Sequence, residues 1–221
     1  YTYIGDLGLK PETSIELTAG IDWSGDRFQL TPELFWRDVS NFIEGVPSTN
    51  ETANRFALAS SGKLPLQYGN VDAELYGFDM GYEWRFSDDL MLRGTLSYVR
   101  GKRTDEKDDL YRIPPLTSVA ELIYQKERWF FAVENVAASR QDRVADYNDE
   151  QETSGWSILN LRAALRLNDT FTLGLGAENL FDTVYRDHLG GYNRVRTSDI
   201  PMGERIVSMG RNFYVKLDAS W

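Results

Sequence analysis

The sequence predicts an all-β fold: an antiparallel meander of about nine strands, forming part of a large transmembrane β-barrel. Three observations lead there. Apolar and polar residues alternate with period two over about nine segments, most long enough to cross a bilayer obliquely. Tight turns and long connections alternate strictly along the chain. No apolar run approaches the roughly 18 residues of a membrane helix, a limit that leaves barrels untouched, because their strands need only about 9–11 residues and are half polar.

The first segment is 14–23, where Ile15, Leu17, Ala19, Ile21 and Trp23 oppose Glu16, Thr18, Gly20 and Asp22. The second is 27–43, with Phe28, Leu30, Leu34 and Trp36 on one parity. The third is 71–86, with Tyr76, Phe78, Met80, Tyr82, Trp84 and Phe86 against Gly77, Asp79, Gly81, Glu83 and Arg85. Segments at 90–101, 116–125 and 128–140 follow, the last with apolar residues on both parities. In 156–167, Leu159, Leu161, Ala163, Leu165 and Leu167 oppose Asn160, Arg162, Ala164 and Arg166. An eighth segment spans 171–181. The ninth, 211–221, sets Phe213, Val215, Leu217, Ala219 and Trp221 against Asn212, Tyr214, Lys216, Asp218 and Ser220.

Residues 24–26, 87–89, 126–127 and 168–170 have the composition of hairpin turns. Between them lie long connections at 44–70, 102–115, 141–155 and 182–210. In a meander, all short turns then fall at one end and all long loops at the other, which is the asymmetry of an outer-membrane barrel. Aromatics gather near the short-turn end (Trp23, Phe28, Trp84, Phe86, Tyr124, Trp129, Phe171), and Trp36, Tyr76 and Tyr98 suit an opposite girdle. A soluble β-sandwich would alternate too. Against it stand the charges on the polar parity (Glu16, Asp79, Glu83, Arg85, Arg93, Arg162, Arg166, Lys216) and strands longer than the usual five or six residues.

Composition narrows the function. Without cysteine there is neither a disulfide framework nor a thiolate metal site. A formal net charge of −10 argues against nucleic-acid binding, which needs a basic face. The single histidine, His188, has no nucleophile arranged with it by any motif, and acid pairs such as Asp88–Asp89 and Asp108–Asp109 fall in turns or loops, so no enzyme is expected. No cofactor is implied.

The last long connection holds the candidate ligand-binding residues Arg186, His188, Tyr192, Arg194, Arg196 and Arg205. Three readings stay open. Arginine forks match carboxylates and phosphates, and aromatics stack on flat ligands. His188, Met202 and Met209 could instead capture a soft metal. Loop packing and strand-end capping are the third. "LGGYNRV" (189–195) reads as fixing one loop shape, Asn70 and Gly77 as fixing a bend and a close approach, and inward Gly77, Gly81, Gly174 and Gly176 as leaving room in the lumen.

Three stretches resemble TonB-dependent outer-membrane receptors. "GDLGLKPETSIELTAGIDW" (5–23) is similar to the family's LKPE loop leading into a barrel strand. "FTLGLGAENLFDTVY" (171–185) is similar to its late NLFD hairpin. "GRNFYVKLDASW" (210–221) is similar to its terminal strand, with Phe213, Val215, Leu217 and Trp221 as the insertion signature. Gly8 replaces the commoner Asn or Asp before LKPE, and Trp221 the commoner Phe. The resemblance implies that residues 1–221 are the C-terminal portion of a receptor barrel, with the plug domain absent from this stretch. It implies a bacterial outer-membrane location, with lipid, a small metal chelate and, through a plug, the TonB complex as partners. The expected role is energised uptake of a scarce nutrient, first a ferric siderophore. Copper, another metal or cobalamin in the same family, or a passive porin-like channel, are the alternatives.

Overall fold

A computed structural model describes residues 3–62 and 64–221. Its elements are β1 (Tyr3–Ile4), β2 (Thr13–Gly20), β3 (Trp23–Ser24), β4 (Phe28–Pro47), α1 (Glu51–Ser61), β5 (Leu66–Arg85), β6 (Leu90–Arg103), β7 (Thr117–Lys126), β8 (Trp129–Ala138), β9 (Trp156–Arg166), β10 (Phe171–Glu178) and β11 (Asn212–Ala219). Nine strands form one continuous sheet in the order β11-β10-β9-β8-β7-β6-β5-β4-β2, and every pairing along it is antiparallel. β3 adds to β4, and β1 pairs parallel with β5, the one departure from the expected meander.

The register confirms the two-faced reading. Along β4 and β5, Phe28 faces Trp84, Leu34 faces Phe78 and Trp36 faces Tyr76 on one side, while Gln29 faces Glu83 and Glu33 faces Asp79 on the other. The same division runs to the last pair, where Leu217 meets Leu173 and Lys216 meets Gly174. On the apolar face the lower girdle is real contact: Phe28 packs against both Trp23 and Trp84, and Phe131 against Tyr124 and Trp129. Tyr76 and Phe86 are ten residues apart on this face. At about 3.3 Å per residue and a tilt near 40°, that spans about 25 Å, the height of a barrel's apolar band.

A sandwich is excluded by what is not buried. Leu217 is 61% exposed and Leu17 66% exposed, and none of Leu161, Leu165 and Phe78 is buried. The clustered core among the described residues is Val39, Ala73 and Leu110 with Phe42, Leu75 and Ile113 around it, far too little for a water-soluble domain of this size.

Four departures from the expected segments have local causes. The first segment splits into β2 and β3 because Ile21 donates to the Pro32 carbonyl at 3.0 Å but Pro32 has no N–H to return. β4 and β5, at 20 residues each, run about twice as far as the roughly 9–11 residues a membrane crossing requires, so the 44–70 connection is largely strand and helix. Helix α1 is bounded by Asn50, whose side chain accepts from the Ala53 N–H at 3.0 Å, and by left-handed Gly62. The eighth segment, which forms β10, stops at Glu178 because Asn179 is left-handed, with φ of 47°.

A bulge between Val39 and Phe42 lets β4 project beyond the membrane without losing its face. Asn41 takes φ of 60° there, and Asn70 holds it by donating to the Asn41 carbonyl at 2.7 Å while exchanging bonds with the Lys10 backbone. One extra residue reverses the parity. Phe42, Glu44 and Val46 therefore continue the polar side that odd residues hold below.

The inward glycines differ from the expectation that they leave room. A Cβ at Gly77 would overlap the Tyr98 carbonyl and sit 2.9 Å from the Phe35 ring, and one at Gly176 would overlap the Tyr214 ring. Their cross-strand partners are those same aromatics, so the space is filled from the neighbouring strand. Gly81 lies under the Thr31 hydroxyl, and Gly174 alone of the four is open, its nearest contact 3.6 Å away.

Candidate functional site

The polar wall is stitched across four successive strands. Glu121 of β7 accepts from Arg93 of β6 at 2.9 Å and from Arg162 of β9, and Arg162 lies 3.8 Å from Glu134 of β8. Asn160 donates to Glu134 at 2.8 Å. Arg37 and Glu16 make the same kind of pair between β4 and β2. Arg93, Glu121, Glu134 and Arg162 line a recess of about 550 Å³. Alternation alone put them on one side; the pairing across strands makes the wall a fixed hydrogen-bonded surface.

Above the wall, on the long-loop end, residues 139–155 and 179–211 close on one another. The NLFD stretch forms the feet of the second loop. Asn179 donates to the carbonyls of Thr183 at 2.9 Å and Met209 at 3.3 Å, and accepts from the Thr183 N–H. Asp182 accepts from the Arg211 N–H at 2.8 Å, so both ends of the loop are tied. In "LGGYNRV", Asn193 donates to the carbonyls of Val195 and Ile200 and exchanges backbone bonds with Gly203 and Glu204. That stretch does fix one shape.

Beneath it lies a buried polar knot. Arg205 donates to the carbonyls of His188, Gly190 (3.2 Å) and Gln151 (3.3 Å) and to the Tyr192 hydroxyl (2.6 Å), with its guanidinium 4.6 Å from the Tyr192 ring centre. His188 contacts Thr153 through Nδ1 at 3.0 Å and has Nε2 3.2 Å from Glu150, close but too bent for a hydrogen bond. Glu150 in turn accepts from the backbone N–H groups of Arg112 and Ala145.

These positions sort the sequence candidates. His188 and Arg205 are 2% and 3% exposed and serve the loop itself. Tyr192 is half-buried under Arg205. Arg194 and Arg196 stand exposed at the loop tip, and Met202 and Met209 are exposed on the surface while His188 is enclosed. Arg186 remains at a cleft, donating through Nε to the Arg205 carbonyl at 3.0 Å with the rest of its fork unpartnered among the described residues.

That cleft, of about 510 Å³, opens between Thr153–Trp156 and Val184–Arg186. Trp156 and Tyr185 pack there with ring centres 4.3 Å apart, beside Arg186. Trp156 lies opposite Ala138 and shares the parity of Asn160 and Arg162, so it stands at the top of the polar wall. Sequence reasoning did not select Trp156 or Tyr185. The available signal was an aromatic residue on the wet parity of β9.

A second enclosed group is Glu44, beyond the bulge. Burial pushes its carboxyl above the usual carboxylate range, against hydrogen bonds from Gly45, the Tyr111 backbone and Tyr147. Burial also raises the Tyr147 hydroxyl, which sits beside Glu44 and shares its enclosure. A carboxyl raised in the folded state binds more protons there than in the unfolded chain, so stability rises as pH falls from above its folded value towards the ordinary 4.5. Glu44→Gln is expected to slow hydrogen exchange around residues 145–148 at neutral pH and to lose that advantage progressively as pH falls to the ordinary 4.5. A pH-independent difference would show that charge is not the cause.

The comparisons with known proteins agree with this geometry. The family model described as "TonB dependent receptor-like, beta-barrel" matches residues 1–180. The ferric enterobactin receptor of Pseudomonas aeruginosa is 26% identical over 229 aligned residues, covering 98% of this chain and 30% of that protein. A solved variant of the ferric enterobactin receptor PfeA from Pseudomonas aeruginosa superposes with a TM-score of 0.69 at 26% identity, covering 97% of this chain and 32% of that one. The copper transporter OprC superposes with a TM-score of 0.84 at 24% identity, covering 98% of this chain and 34% of that one, a likeness of fold. The chain thus spans about a third of the length of these relatives. It belongs to the TonB-dependent receptor β-barrel family, whose members are proteins of the bacterial outer membrane.

Proposed function

We propose that this chain is the ligand-facing wall and mouth of a receptor that takes up a ferric siderophore across the outer membrane, energised through TonB by way of a plug in the rest of the receptor. The observation that carries the ligand class is the cleft where Trp156, Tyr185 and Arg186 meet on the polar side. An aromatic pair offers a flat apolar surface, and a guanidinium fork beside it suits the anionic oxygens of a chelate. The name of the Pseudomonas aeruginosa relative, a ferric enterobactin receptor, points the same way. The arginine–glutamate wall below would keep the path wet for a charged cargo. His188, with both ring nitrogens facing Thr153 and Glu150, gives the copper reading no comparable support.

The test is radioiron uptake by cells in which the full-length receptor is the sole route for a ferric tris-catecholate. Uptake should require TonB. Trp156→Ala with Arg186→Ala should raise the half-saturating concentration by about tenfold or more, the scale of one lost charge-assisted contact. TonB-independent uptake would indicate a passive channel. Saturable transport of copper or cobalamin in place of the catecholate would overturn the siderophore assignment.

A further inference from the structure

Three long loops meet at one buried carboxylate. Glu150 accepts from the Arg112 N–H at 3.0 Å and from the Ala145 N–H at 3.1 Å, which joins residues 104–116 to residues 139–155. His188, from residues 179–211, brings Nε2 to 3.2 Å from the same carboxylate, and both side chains are 1% exposed. The Arg112 guanidinium adds a second tie to the last loop by donating to the Leu189 carbonyl.

The charge at this junction is not balanced by the arginines around it. Among the described residues, His188 is the one group placed to pair with Glu150 as an ion. A carboxylate taken out of water is costly unless a cation accompanies it. Arg205 directs its guanidinium to the carbonyls of His188, Gly190 and Gln151 and to the Tyr192 hydroxyl, and Arg112 directs its own to Leu189. The acids nearby add to the need. Glu44 of β4 is near enough to Glu150 for the two carboxylates to repel, and Asp187 accepts from the Leu189 N–H. Tyr111 and Tyr147, the other titratable groups packed there, carry no positive charge.

A neutral imidazole leaves Nε2 without a hydrogen bond and Glu150 without a counter-charge. A protonated one offers two N–H groups, one to the Thr153 hydroxyl, 3.0 Å from Nδ1, and one to Glu150. Histidine is the side chain suited to gaining that charge in mildly acid water.

We infer that His188 and Glu150 form a proton-operated latch, in which the imidazolium draws the last two long loops together at Glu150 and the neutral ring lets them part. The joined loops hold the proton more tightly than the parted ones, so falling pH favours closure and rising pH loosens it. Thr153 and Arg205 line the cleft at Trp156 and Arg186, so the shape of that cleft follows the latch. The latch belongs to the loops and operates whichever ligand the cleft takes.

The test is hydrogen exchange of the full-length receptor in detergent, read by mass spectrometry at about pH 5.5 and about pH 7.5 and corrected for the chemical pH dependence of exchange. Residues 150–156 and 186–193 should be about tenfold better protected at the lower pH, the scale of one charge-assisted contact, with β8 unchanged. His188→Gln and Glu150→Gln should each lose that dependence. Glu44 takes up its own proton in the same direction, so Glu44→Gln is the control and should keep the dependence at residues 186–193. Equal wild-type protection at both pH values would overturn the latch. So would a dependence that survives His188→Gln, or one that disappears in Glu44→Gln with His188 in place. Heat-modifiable gel migration reports whether each variant is a folded barrel, and the wild-type comparison needs no variant.

Discussion

Alanine at Arg205 is expected to release residues 179–211 as a unit while leaving the barrel folded. The side chain is buried, and its guanidinium satisfies three backbone carbonyls and the Tyr192 hydroxyl from two different loops. Removing it orphans those acceptors, at about 1–3 kcal/mol for each that water cannot reach. A net loss of about 3 kcal/mol in local stability corresponds to roughly a hundredfold faster hydrogen exchange in the loop. Limited proteolysis should open the loop at the same time, and heat-modifiable migration should be unchanged, because no strand of the sheet depends on the knot. Arg205→Lys should recover only part of the protection, since a point charge cannot reproduce the fork that spans His188, Gly190 and Gln151. Arg194→Ala, at the exposed tip, serves as the neutral control. If Arg205→Ala abolished ligand binding with loop protection intact, Arg205 would be a ligand-contacting residue and the knot a secondary matter.

The contrast between Arg205 and Arg186 shows where sequence reasoning reached its limit. Period-two alternation identifies faces because a strand's side chains have only two directions, so Glu121, Arg162, Leu217 and the girdle aromatics were legible from their parity alone. Loops have no such period. Six residues of the last loop carried the right chemistry for an anion, yet burial turned His188 and Arg205 inward and left Arg186 beside a cleft. That selection depends on Gln151, Thr153 and Glu150, more than thirty residues earlier, whose approach no local pattern announces. The bulge at Asn41 was hidden for a related reason. It is fixed by Asn70 and Lys10 across the sheet, and only the resulting exchange of parity brings Glu44 to the polar side. Helix α1 was more accessible, since Asn50 and Gly62 are ordinary cap residues. Its weak apolar face, with Phe56 76% exposed, gave periodicity little to detect.

Gly77→Ala is expected to be, with Gly94→Ala, among the most damaging single methyls in the sheet, and Gly174→Ala one of the least. At Gly77 the added Cβ would overlap the carbonyl of Tyr98 on β6, so relief requires β5 and β6 to separate where they hold the upper half of the wall. Overpacking of this kind costs about 1–3 kcal/mol and more when backbone must move. At Gly174 the nearest atom is the Lys216 Cβ at 3.6 Å, an ordinary contact. There alanine should be neutral or gain a few tenths of a kcal/mol, because it restricts the unfolded chain. The measurement is the yield and thermal midpoint of the heat-modifiable form of each full-length variant. Phe35→Ala separates the two possible causes at Gly77. The Phe35 ring lies 2.9 Å from the added methyl, so if it alone were the obstacle, the double variant would refold as well as Phe35→Ala does by itself. The carbonyl is the harder obstacle, and the double variant should remain defective. Full rescue would mean that the strands can give way at this point, and that the glycine is there for the aromatic ring that covers it.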